Sequence, residues 1–138
     1  MIWLHLFVSA IIFSVTDIQH HKIRRTHLLL ACTFFLPFLT FSSVHHSIIN
    51  YCGYRLLYHS TRGAIGYGDV RLAALIGLYS GSLFNSTHYL IFINLISLLI
   101  AGCCAITLLI INRRSFRERI PFAPFMFLGL IFSLVLCN

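Results

Sequence analysis

The hydrophobic residues of this chain fall in long blocks separated by short polar breaks, and the blocks outweigh the breaks. Six apolar segments can be marked: Ile2–Thr16, Thr26–Val44, Ser47–Tyr58, Val70–Phe84, Thr87–Ile111 and Ile120–Cys137. A straight membrane crossing takes roughly 20 residues. The first and fourth segments reach that only if their flanks join them. The third carries Asn50, Arg55 and several tyrosines, and it reads as a full span, a tilted span or an interfacial helix. No repeat, low-complexity tract or linker interrupts the series. The pattern predicts an all-α polytopic membrane protein with about six transmembrane helices, forming a single domain over residues 1–138.

Composition agrees. Of 138 residues 59% are hydrophobic and only 9% are charged, whereas a soluble domain carries about 25% charged residues. The net charge of +7 raises the question of nucleic acid. The ten Lys and Arg do not form one patch or a basic–aromatic stripe, so nucleic acid is not an expected partner. They fall in three clusters between apolar segments: Lys22, Arg24 and Arg25; Arg55, Arg62 and Arg71; and Arg113, Arg114, Arg117 and Arg119. With six spans and an external N-terminus, loops one, three and five and their flanks hold all ten. Loops two and four, around Ser43–His46 and Ser82–Ser86, hold none. The positive-inside rule then puts the basic loops in the cytoplasm and both termini on the periplasmic side. Losing the third segment would strand the last cluster outside. No Lys or Arg precedes the first segment, which therefore reads as a first span and not as a signal peptide.

Other residue types narrow the chemistry. Five cysteines, an odd number without a CxxC pair, read as small apolar side chains in membrane helices. The eight histidines include the adjacent pairs His20-His21 and His45-His46. Neighbours do not share a helix face, and no HExxH is present, so neither a metal nor a cofactor is expected. Solvated loop positions account for these pairs. No GxSxG occurs, and Ser9, Ser14, Thr16, Ser97 and Thr107 read as helix-packing groups. Tyr51, Tyr54, Tyr58 and Tyr67 suit an interfacial aromatic belt as well as a substrate contact.

The acidic residues are only three: Asp17, Asp69 and Glu118. Glu118 sits among arginines and reads as their surface partner. Asp17 ends the first apolar segment and Asp69 begins the fourth, which sets both at the same membrane boundary. An acid at the edge of lipid is costly if it stays charged and unpaired, and two at matching depth suggest a site. Brought together, two carboxyls share a proton, so one can take a proton from water while the other polarises a peptide carbonyl. Such a pair titrates as a unit and needs no metal. Each aspartate taken singly also reads as a helix-terminal charge, favourable at the start of a helix for Asp69 and unfavourable at the end of one for Asp17.

The residues around them form a wider pattern. The stretch Gly66-Tyr67-Gly68-Asp69-Val70-Arg71-Leu72-Ala73-Ala74-Leu75-Ile76-Gly77 resembles the GxGDxKLxAxxG signature of the type IV prepilin peptidases, membrane aspartic proteases of the GxGD class. In that family a first aspartate follows an early helix and is trailed by basic residues and Ile-Pro. Asp17 through Arg24 resembles this layout, with Arg24 where the proline stands. Near the end, Ile120-Pro121-Phe122-Ala123-Pro124-Phe125 through Gly129 resembles the family's IPFGPF…G element, with Ala123 in place of glycine.

The resemblance implies an aspartic endopeptidase of the bacterial inner membrane with Asp17 and Asp69 as its catalytic pair. Gly66, Gly68, Arg71, Pro121, Phe122 and Pro124 would support the site. It implies a prepilin or pseudopilin substrate, cut at a leader ending in glycine on the cytoplasmic side, in pilus assembly or type II secretion. The bilayer is the other partner, and the basic loops would hold anionic lipid. Many relatives carry an N-terminal domain with CxxC motifs linked to N-methylation; peptidase activity without methylation is expected here. A small transporter, a non-catalytic assembly component and a family member that binds prepilins without cutting them are the competing readings. No residue pattern speaks to oligomeric state.

Overall fold

A computed structural model describes residues 1–20, 23, 25–61, 65–84, 86–112 and 121–136. Within them the chain is helical throughout: α1 (Ile2–His20), α2 (Arg25–Phe35), a 3-10 turn (Leu36–Phe38), α3 (Phe41–Ser60), α4 (Tyr67–Leu83), α5 (Thr87–Asn112) and α6 (Ala123–Leu136). Six α-helices correspond to the six apolar segments, and α1 and α5 are long and apolar enough to cross a membrane.

One segment boundary needs correcting. The apolar run Thr26–Val44 is not one helix. Pro37 falls in the 3-10 turn that closes α2, because proline lacks the N–H that a continuing helix needs. The turn comes at Leu39 and Thr40, not at Ser43–His46. Thr40 then caps α3: its hydroxyl accepts from the Ser43 N–H at 3.1 Å, and Ser43 Oγ accepts from the Thr40 N–H at 2.9 Å. This reciprocal pair satisfies donors that a helix start leaves free. Ser43 and His46 thus lie buried inside α3, and His46 is no loop residue.

The central element is α4, buried on almost every side from Val70 to Gly81, as expected of a helix apolar all round. Its glycines explain how α3 comes so close. A Cβ on Gly77 would lie 2.5 Å from Ser47 Cα, and one on Gly81 would fall onto the backbone of Ser42 and Ser43. Gly77 and Gly81 form a GxxxG pair, the spacing that lets two helices touch backbone to backbone. Asn50 ties the next turn, donating to the Ala73 carbonyl at 2.8 Å. The helices run antiparallel in a fixed register: Gly81 faces Ser43, Gly77 faces His46 and Ser47, and Ala73 faces Asn50. One turn further, Asp69 faces Tyr54.

The other helices join this pair. At one end Tyr79 OH meets His5 Nδ1 at 2.7 Å and Ser9 Oγ at 3.0 Å, joining α4 to α1. At the other end the last turn of α1 meets the start of α6. Helix α6 lies against α5, where a Cβ on Gly129 would strike Ser97 Oγ.

The bundle puts its polar groups inside. Ser9, Asp17, Ser43, His46, Asn50, Ser80, Ser97 and Ser133 are buried. The outward face of α1 is instead Trp3, Leu4, Phe7, Val8, Ile11, Ile12, Val15 and Ile18, all exposed. Cys52, Cys103 and Cys104 are also exposed, free thiols on helices, and Cys32 is half-buried. The expectations placed on His21, Lys22, Arg24, Arg62, Arg113–Arg119 (with Glu118), Ile120 and Cys137 concern positions outside the described residues.

Candidate active site

Asp17 stands in the last turn of α1, on the stripe Leu6, Ser9, Ala10, Phe13 and Asp17 that faces inward, and it is 5% exposed. A buried carboxylate at a helix C-terminus opposes the local dipole and needs compensation. It comes from the far end of the chain. The Ala123 N–H, at the first residue of α6, donates to Asp17 Oδ2 at 2.9 Å. The start of a helix offers free N–H groups and a partial positive charge, which suit an anion. Pro121, Phe122 and Pro124 flank this contact; all three are half-buried. Ala123 is fully buried and contributes through its backbone, so alanine here leaves the donor intact.

Asp69 sits in the first turn of α4, ahead of the apolar run that begins at Val70. Gly66 caps that helix with φ −68° and ψ 141°, an ordinary extended conformation. The left-handed freedom of glycine is therefore not why glycine stands here; room is. A Cβ on Gly66 would lie 3.1 Å from Asp69 Oδ2. A Cβ on Gly68 would lie 3.2 Å from Ile23 Cβ, in the connection that follows Asp17. Gly66 thus leaves room for the Asp69 carboxyl itself, and Gly68 lets the start of α4 close on the connection that follows Asp17.

The carboxyls are near enough to interact. Burial pushes the Asp69 carboxyl up to about 7, the Asp17 charge adds to the rise, and a backbone hydrogen bond at Gly66 draws it part of the way back. Desolvation and a like charge both favour the protonated acid.

Arg71 points elsewhere. Its guanidinium covers the Tyr67 ring at 4.7 Å. Tyr67 also meets Tyr58, ring centroids 5.6 Å apart, and Tyr51, hydroxyls 3.4 Å apart; Arg55 donates to Tyr51 OH at 3.1 Å. This basic–aromatic cluster joins α3 to the start of α4. Tyr54, grouped with those tyrosines in the sequence, is separate from them: it is buried, and its ring lies 6.2 Å from Phe122. Sequence reasoning also missed Asn50, which receives the Asn94 side-chain N–H at 2.7 Å while holding Ala73. The spacing Asn50-x-x-x-Tyr54, one face of one helix, was the signal available. No group of three or more His, Cys, Asp or Glu side chains gathers among the described residues.

An all-helical bundle with two interacting carboxyls at one end is the frame in which the comparisons with known proteins fall. The model of the type IV leader peptidase family matches residues 4–111, and the chain belongs to that family, one of leader-peptidase-type proteases. The match contains Asp17 and Asp69; α6 and its proline-flanked start lie beyond it. No curated protein and no solved structure matches the chain.

Proposed function

We propose that the protein is a multi-pass membrane aspartic endopeptidase that removes the leader of prepilins or pseudopilins at the cytoplasmic face of the inner membrane, with residues 1–138 forming one catalytic domain. The observation that carries this reading is the meeting of Asp17 and Asp69. Asp17 is buried on an N–H donor, and Asp69 lies close enough for the Asp17 charge to reach it.

In the resting site Asp69 carries the shared proton and Asp17 the charge. Asp17 removes a proton from water as the water oxygen bonds to the scissile carbonyl carbon. Asp69 passes its proton to the carbonyl oxygen, giving a neutral gem-diol. The C–N bond then breaks while the departing nitrogen takes the proton from Asp17. A diol proton returns to Asp69, and the resting state is restored. Each carboxyl works once as acid and once as base.

The membrane setting is supported by the inverted distribution of side chains. Serines, a histidine and an asparagine are inside, and aliphatic and aromatic residues face out on α1 and α5. Exposed apolar surface on that scale suits lipid. Arg25, Arg55 and Arg71 lie at the end of the bundle that holds both aspartates, as the positive-inside rule requires if that end is cytoplasmic. Gly66, Gly68, Pro121, Phe122 and Pro124 support the site by shaping the approach of three segments. Arg71 acts at one remove, through the Tyr67 ring.

The test is co-expression with a prepilin in a host without a processing peptidase of its own. The reading requires a shortened product beginning just after the leader glycine. Prepilin that stays full length beside abundant, membrane-inserted protein would contradict it, and would favour an assembly or transport role.

A further inference from the structure

We infer that the Tyr54 hydroxyl is a third functional group of this site, placed to donate a hydrogen bond to the scissile carbonyl oxygen while negative charge develops on it. The inference rests on the reading of Asp17 and Asp69 as the catalytic pair.

Three observations carry it. The first is register. Ser43, His46 and Asn50 of α3 face Gly81, Gly77 and Ala73 of α4, and the same spacing brings Tyr54 opposite Asp69. Tyr54 lies within electrostatic reach of the Asp69 carboxyl. The second is enclosure. Tyr54 is 3% exposed, with the Phe122 ring against it from the segment that supplies the Asp17 donor. Tyr54 is therefore set between the start of α4, which carries Asp69, and the segment that opens α6. The third is that Tyr54 OH has no hydrogen-bond partner among the described residues. Two other buried polar atoms, His27 Nδ1 and Asn94 Oδ1, share that state, but only Tyr54 lies opposite one of the paired carboxyls.

A buried hydroxyl without a partner costs stability. A phenylalanine would fill the same space without that cost. The arrangement makes sense if the partner is the substrate. The packing of the ring fixes where the hydroxyl oxygen sits before the peptide arrives, its hydrogen free to turn toward the partner, and a donor held ready for developing charge is the most effective kind. Tyr54 exchanges no proton in this role. It steadies the oxygen until Asp69 has delivered its own.

The experiment is Tyr54→Phe in purified protein reconstituted in liposomes, with Asp17→Asn and Asp69→Asn alongside. The substrate is a peptide spanning the leader–mature junction. A hydroxyethylene isostere of that peptide serves as transition-state mimic. Loss of one such donor lowers kcat by about 100- to 1,000-fold. The inference expects a fall of that order at nearly unchanged KM, with a matching loss of affinity for the isostere. It also expects the variant to resist heat at least as well as the parent, because an unpartnered hydroxyl has been removed. Parent-like kcat, or a fall in kcat accompanied by reduced thermal stability or failure to fold, overturns the inference, since the hydroxyl then has no role or a structural one. These outcomes are distinct from failure of the underlying reading, in which the Asn variants would themselves cleave the peptide.

Discussion

Replacing Ala123 by proline isolates the contact that holds Asp17 in place. Proline is well accommodated at the first position of a helix, where its fixed φ suits the entry and its missing N–H has no helical partner. The entry to α6 therefore remains helical while the donor to Asp17 Oδ2, now at 2.9 Å, disappears and the ring Cδ takes the hydrogen's place against the carboxylate. A hydrogen bond to a charged group contributes roughly 1.5–3 kcal/mol, and leaving a buried carboxylate short of a donor brings its full desolvation cost. At about 1.4 kcal/mol per factor of ten, the expected fall in kcat is roughly 10- to 150-fold. KM should change little, because the lost contact touches the Asp17 carboxyl and not the peptide. Ala123→Gly keeps the N–H and restores the glycine that the family element carries, so it should cleave at close to the parent rate. The assay is steady-state cleavage of a junction peptide in proteoliposomes, with the amount of folded protein measured in parallel. Parent-like kcat in Ala123→Pro, or an equal fall in Ala123→Gly, would refute the idea that the backbone of α6 positions Asp17.

Four further outcomes follow, two from the Asp69 carboxyl and two from the contact between α3 and α4. In the folded protein Asp69 keeps a proton to about 7, which the unfolded chain, at the ordinary 3.8, has released. The stability tied to that proton is complete below 3.8 and is lost as pH rises through about 7. Thermal midpoints measured across this window should fall with pH in the parent, and the slope should flatten in Asp69→Asn. In the proposed mechanism Asp69 delivers a proton, so cleavage should also decline on the alkaline side with a midpoint near 7; a rate that stays level to well above that value would contradict the assignment. In the helix pair, Gly81→Leu drives a side chain into the backbone of Ser42 and Ser43 and should destabilise by about 1–3 kcal/mol or more, seen as loss of heat-resistant protein in detergent. Gly53, in the same helix pair but with nothing within 4 Å of an added Cβ, should accept alanine with no loss or a gain of about 0.5–1 kcal/mol.

How much of this was legible beforehand depends on which force set each feature. Lipid-sized apolar blocks are written directly in composition, so the number of helices and the placing of Asp17 and Asp69 at helix ends could be read. Thr26–Val44 hid a break because the residues around Pro37 are as apolar as the helices they separate; backbone hydrogen bonding, not hydropathy, ends α2 there. His46 and Ser43 looked like loop residues because polarity in a soluble protein marks the surface. In this bundle the polar side chains turn inward, and His46 Nδ1 meets Ser80 Oγ at 3.3 Å. The glycines before Asp69 suggested either a positive φ or close approach, and only coordinates could choose the second. Tyr54 was indistinguishable from Tyr51 and Tyr58 until the α3–α4 register separated a buried position from those in the arginine cluster. The contact between Ala123 and Asp17 joins opposite ends of the chain and leaves no local trace in either segment.

The most direct measurement is a kinetic cycle on Asp17→Asn, Asp69→Asn and the double variant, in purified protein acting on one junction peptide. Carboxyls that pass a proton between them act as a unit, so each single change should bring the rate to background and the double change should take it no lower. A single variant that still cuts at a substantial fraction of the parent rate, or two losses that simply multiply, would mean that these carboxyls do not work together.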